Sequence, residues 1–139
     1  EGPISQSVLA ARVKELGHVP RMTAAVKGRI AAVAAAEVSE GRLSADEEGF
    51  LTVPESIISP RERPAKWSAA DVSLAEISAA AVSVLEKQFS TPCDDLIRQT
   101  AVVLGFKATA AVKERIASGI DAGIADGRIL LEGNICKAA

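Results

Sequence analysis

Thr23-Ala24-Ala25-Val26-Lys27-Gly28-Arg29-Ile30-Ala31 returns 86 residues later as Thr109-Ala110-Ala111-Val112-Lys113-Glu114-Arg115-Ile116-Ala117, with Gly28 against Glu114 as the one difference. The match extends on both sides. Leu16-Gly17 precedes the first copy as Leu104-Gly105 precedes the second, and Glu40-Gly41-Arg42-Leu43 follows the first as Asp126-Gly127-Arg128-Ile129 follows the second. Two copies at so long a period denote a duplicated supersecondary unit, because a solenoid needs three or more.

Each nonamer reads as the start of an amphipathic helix. Thr23 and Thr109 are capping residues, and Val26, Ile30, Val33 and Ala34 form one apolar stripe, matched by Val112, Ile116, Ile120 and Ile124. Upstream of the second copy, Ser73-Leu74-Ala75-Glu76 is a capping box for a helix running to about Gln88. Ile77, Ala81, Val84 and Leu85 are its inward residues. Phe89-Ser90 is an extended joint. Thr91-Pro92-Cys93-Asp94 reads as a second capping box with proline at the first helical position, opening a helix that carries Leu96, Ile97, Thr100, Val103 and Leu104 and ends at Gly105. Ile129-Leu130-Leu131 and Ile135-Cys136 close the unit as a hairpin around Glu132-Gly133-Asn134.

The first copy has the same order with one part missing. Ser5 or Ser7 caps a helix with Leu9, Val13 and Leu16 on one face, the repeated helix follows, and Leu43-Ser44 with Phe50-Leu51-Thr52-Val53 forms a hairpin whose tip is Ala45-Asp46-Glu47-Glu48-Gly49. Helix, joint, helix, turn, helix and hairpin is the order of a winged helix. The predicted fold is therefore mainly α with small β hairpins (α+β), a tandem winged-helix, helix-turn-helix-like repeat whose first copy lacks its opening helix. Its parts are 1–53, a Pro/Arg linker over 54–72, and 73–139. Pro54, Pro60 and Pro64 exclude regular helix from that linker, and Trp67 is its expected anchor.

Among 139 residues, 48% are hydrophobic and 24% charged, as in an ordinary globular domain. No run approaches the ~18 apolar residues of a membrane span. Cys93 and Cys136 are too far apart in sequence for a metal pair and read as small buried residues in a reducing compartment. A chain that begins at Glu1 rather than Met reads as a piece of a larger protein.

These landmarks carry a resemblance. Glu1-Gly2-Pro3-Ile4, Leu16-Gly17, Glu40-Gly41-Arg42-Leu43, the Pro/Arg linker, Leu104-Gly105-Phe106 and Asp126-Gly127-Arg128-Ile129 together resemble an uncharacterised C-terminal domain of bacterial superfamily-1 helicase-like proteins. In those DNA helicase-related parents it follows a helicase core and a restriction-endonuclease-like module. The resemblance implies a cytoplasmic bacterial parent that works on DNA, and it transfers no functional residue.

The chemistry of a helicase or nuclease is absent from these residues. No Gly-x-x-x-x-Gly-Lys-Ser/Thr phosphate loop occurs. Asp46-Glu47-Glu48 reads as a solvated hairpin tip, Asp94-Asp95 as carboxylates complementing a helix N-terminus, and His18, the lone histidine, as a loop residue. The chain is expected to be non-catalytic, with no cofactor and no metal.

Two functions remain as expectations. In the first, an accessory module assists DNA binding non-specifically, and the candidate phosphate contacts are Arg21, Lys27, Arg29, Arg61, Arg63, Lys66, Lys107, Lys113 and Arg115. In the second, a protein-interaction or scaffold module docks on the parent's helicase or nuclease domains, or forms a homodimer, without touching DNA. Charge weighs against the first. The net charge is −2, and segments 1–53, 54–72 and 73–139 carry −1, 0 and −1, whereas phosphate binders carry a basic excess. The outward face of the second nonamer helix holds Glu114 and Asp121 where a duplex presents about one negative charge per 1.7 Å of axis. The alanine-rich faces suit close helix–helix approach at least as well as a groove, and the missing opening helix favours the second; the accessory DNA-binding module is the expected function, with docking as the alternative.

Overall fold

Among the described residues, hydroxyl side chains start four of the five α-helices. Ser5 accepts from the Val8 N–H at 3.3 Å and begins α1 (Gln6–Leu16); Thr23 accepts from Val26 at 3.3 Å and begins α2 (Ala24–Ser39). Ser73 and Thr109 do the same for α3 (Leu74–Gln88) and α5 (Ala110–Ala125), accepting from Glu76 at 3.1 Å and Val112 at 3.4 Å. Each hydroxyl satisfies one backbone donor that the first helical turn leaves without an intrahelical partner. The fifth helix, α4 (Cys93–Val103), departs from expectation. Thr91 makes no cap; it lies in strand β3 (Ser90–Pro92), and Pro92 is the cap residue without a side-chain bond. Strand pairing claims Thr91, and the Cys93 N–H goes to the Asn134 carbonyl at 3.0 Å.

This computed structural model describes residues 2–64 and 67–139. Over them the chain is α+β, with helices and small antiparallel sheets in two compact units, Glu1–Ile57 and Ile58–Ala139. In the first unit, β1 (Ser44–Ala45) pairs with β2 (Leu51–Thr52), and Ile4 bridges to Leu51 from the other side. In the second, β3, β4 (Ile129–Glu132) and β5 (Ile135–Ala138) form one sheet in the order β3–β5–β4. Leu131 and Thr91 flank Cys136 as Ala45 and Ile4 flank Leu51, so the repeat is expressed in register as well as in sequence.

The expected linker is the main correction. From Ile58 onward it belongs to the second unit, where Arg63 donates its N–H to the Leu104 carbonyl at 2.9 Å and a single 3-10 turn (Ala69–Asp71) leads into α3. A Cβ on Gly105 would lie 2.9 Å from the Arg63 carbonyl oxygen, and Gly105 has φ +79°, so glycine is required there twice over. Ala65 and Lys66 lie outside the described residues.

The core of the second unit is aliphatic and centred on α3. Ile77, Ala80, Ala81, Val84 and Leu85 are buried against Leu96, Ala101 and Leu104 of the α4 segment and Ile116 and Ile120 of α5. α3 approaches α5 closely because α5 has glycine where it crosses. A Cβ on Gly119 would sit 2.3 Å from Cγ2 of Ile77, and one on Gly123 would sit 2.4 Å from Oγ of Ser78. Valine at position 119 should thus overpack the crossing. Gly119→Val is expected to lower the stability of the second unit by about 3 kcal/mol in urea unfolding, and Ile77→Ala in the same chain should recover part of that loss.

Candidate functional site

The nine candidate phosphate contacts meet different fates. Glu76, one turn into α3, is fully buried, and its carboxylate is clasped by two guanidinium groups. Arg61 donates Nε to Oε1 at 3.1 Å and Nη2 to Oε2 at 2.8 Å; Arg63 donates Nη1 to Oε1 at 2.9 Å and Nη2 to Oε2 at 2.7 Å. The Arg61 N–H adds a further bond to Oε1 at 3.0 Å. Bidentate pairing of this kind is the geometry in which arginine and carboxylate interact most strongly. Arg61 and Arg63, expected in a linker as candidate phosphate contacts, are engaged by Glu76, and Glu76 does not reach back to Ser73 as a capping box would have it. Sequence reasoning missed this cluster because it read Glu76 as a cap and the arginines as linker. The available signal was a charged residue on the apolar side of an otherwise alanine- and leucine-lined helix.

Arg115 is also turned inward. Its Nη2 donates to the Val72 carbonyl at 2.7 Å, immediately before α3. Arg21, Lys27, Arg29, Lys107 and Lys113 are exposed, and Lys66 is outside the described residues. Of these exposed cations, Arg21, Lys27 and Arg29 belong to the first unit and Lys107 and Lys113 to the second. Lys113 shares the surface of α5 with exposed Glu114 and Asp121. Asp46 at the first hairpin tip accepts from the N–H groups of Glu48 and Phe50 at 3.0 and 2.9 Å, so that carboxylate builds its own turn. Glu132 at the second tip pairs with Lys137 at 2.5 Å.

The other feature is an apolar groove of about 400 Å³ on the first unit. It runs between α1 and α2 and is lined by Leu9, Val13, Ile30, Val33, Ala34 and Leu43, with Arg29 and Glu37 at its edges. Glu37 is held by Arg42 through bonds of 2.5 and 2.8 Å, which keep its carboxyl below the usual range. Val33 is 63% exposed and Leu16 81%, whereas the matching Gly119 is buried and the matching Leu104 is wholly so. The apolar stripe of α2 is therefore left partly open, since no described part of the first unit covers Val33. In the second unit a hollow of about 630 Å³ beside Trp67 and Phe106 includes Lys107 and Arg115 in its lining.

The cysteines meet although they lie 43 positions apart. Cys136 is buried in β5, and burial first, then a hydrogen bond with Cys93, pushes its thiol up to about 12. A thiol so raised is protonated at neutral pH and not nucleophilic. Among the described residues no group of three or more His, Cys, Asp or Glu side chains is placed to hold a metal, and no helix is long and apolar enough to cross a membrane. No protein-family model, curated protein or solved structure matches the chain.

Removing one partner of a buried ion cluster leaves the others desolvated without compensation. Glu76→Ala is therefore expected to cost the second unit ~3–5 kcal/mol in urea unfolding. The triple replacement Arg61→Leu, Arg63→Met, Glu76→Leu should regain most of that loss, because an apolar cluster has no charge to desolvate.

Proposed function

We propose that the chain is a non-catalytic, tandem winged-helix module that docks other proteins within a DNA helicase- or nuclease-type parent, rather than one that reads a duplex. The winged-helix reading is supported by the helix–strand–helix–helix–hairpin order of the second unit, by its β3–β5–β4 sheet, and by the same pairing around Leu51 in the first. The setting in a helicase-like parent rests on the sequence resemblance.

One observation carries the choice of protein over DNA. On α5, where a winged helix inserts into the major groove, half-buried Arg115 is engaged with the Val72 carbonyl and Glu114 and Asp121 face solvent. A carboxylate surface is repelled by phosphate, and Arg61 and Arg63, occupied by Glu76, are not placed to offset it. The accessory DNA-binding reading retains one favourable observation, the exposure of Lys27 and Lys113 at matching positions of the two copies. Fold-level analogy alone does not decide between the two.

Titration with labelled duplex and single strand at low salt separates them. Non-specific binders show Kd values of roughly 10⁻⁴–10⁻⁶ M with a steep salt slope. The docking reading expects no saturable binding in that range. Salt-sensitive binding that Lys27→Glu and Lys113→Glu weaken would replace it with the DNA reading.

A further inference from the structure

The second unit shows what a groove of this kind holds. There, the channel between α4 and α5 is filled by α3, which reaches α5 at Ile77–Gly119 and Ser78–Gly123, while Val72, just ahead of the α3 cap, meets Arg115. The groove on the first unit is the same channel by repeat position. Arg29, Ile30, Val33, Ala34, Glu37 and Leu43 stand where Arg115, Ile116, Gly119, Ile120, Gly123 and Ile129 stand. Nothing among the described residues of the first unit plays the part of α3.

We propose that the apolar groove between α1 and α2 is a docking site for an amphipathic α-helix supplied by a protein partner. The proposal rests on the protein-docking reading above and names the chemistry of the partner. Three features of the groove specify that helix. Ile30, Leu9, Val13 and Leu43 require an apolar stripe, since exposed aliphatic surface gains most by burial against its own kind. Val33 stands where Gly119 admits Ile77, so the incoming helix must carry a small residue, alanine or glycine, at the position equivalent to Ile77. Arg29 is exposed and makes no ion pair or hydrogen bond among the described residues, whereas its counterpart Arg115 grips the Val72 carbonyl just ahead of α3. The partner helix is thus expected to bring its N-terminal end, with a free carbonyl or a carboxylate, to Arg29. Glu37 is neutralised by Arg42 and does not repel that end.

A direct probe is a fluorescein-labelled peptide of residues 71–88 carrying Ile77→Ala and Ser78→Gly, which relieve the contacts that Val33 and Glu37 would otherwise block, titrated into the full 139-residue chain. Fluorescence anisotropy and amide shift mapping report affinity and place. The peptide should bind saturably and shift the amides of α1 and α2; the peptide that keeps Ile77 should bind about tenfold more weakly, as should the first peptide to the Val33→Asp chain. Val102→Asp, on the exposed face of α4, should leave binding unchanged. Val33 is exposed, so its replacement spares the core, and Arg29→Ala serves as a second variant with an expected loss of several-fold. Absence of saturable binding, or shifts confined to the second unit, would overturn the proposal. So would self-association in sedimentation that Val33→Asp abolishes, because the occupant would then be a second copy. Duplex titration of the same sample keeps the two levels apart. Neither ligand binding would remove the groove assignment and leave the docking reading standing, whereas duplex binding without peptide binding would remove both.

Discussion

A buried carboxylate with two arginines is the interaction on which the second unit is arranged. Glu76 has no water to solvate it, and a lone ionised group in that position would be strongly unfavourable. Arg61 and Arg63 supply four side-chain donors and Arg61 one backbone donor, so both oxygens are satisfied. To do so the segment before α3 must lie against the unit, and its proline-rich sequence suits an extended course. Arg63 in turn fixes the end of α4 through Leu104, whose side chain becomes fully buried. The start of α3 is set by Ser73 on one side and by Arg115 through the Val72 carbonyl on the other. A charge cluster, three backbone contacts and a helix cap are therefore one coupled assembly, and what looked like linker is part of it.

The duplication places nearly the same nonamer in two environments. Ile116 is 1% exposed beneath α3, while Ile30 at the matching position is only half-buried. The difference at the crossing is one of shape. Glycine at 119 and 123 lets a helix approach with Ile77 and Ser78, and Val33 and Glu37 close that route to an identical helix. The two copies have kept their strand register and differ in what covers them.

The periodic parts of this fold were legible in the sequence. Helix starts at Ser5, Thr23, Ser73 and Thr109 follow from local hydrogen bonding that any chain with those residues favours, and the repeat fixed the hairpins. Thr91 misled because its backbone is drawn into a strand by pairing with Cys136, a partner 45 residues away that local spacing does not reveal. Arg61, Arg63 and Glu76 misled for a related reason. Their pairing spans 13 and 15 residues, beyond the reach of helical spacing, and a Pro/Arg segment carries no sign of what it will pack on. The groove was half legible: the stripe of Val26, Ile30 and Val33 was visible, but only the neighbours in space reveal that Val33 is uncovered.

Native-state amide hydrogen exchange tests the central claim most directly, because it compares one sequence in two settings. Opening free energy follows the apolar burial around each amide. If the second nonamer is covered by α3 and the first is an uncovered copy of the same scaffold, amides from Lys27 to Ala31 should exchange much faster than those from Lys113 to Ala117, despite near-identical sequence and caps. Equal protection of the two helices in the isolated chain would contradict the account, since it would mean that the groove on the first unit is already covered.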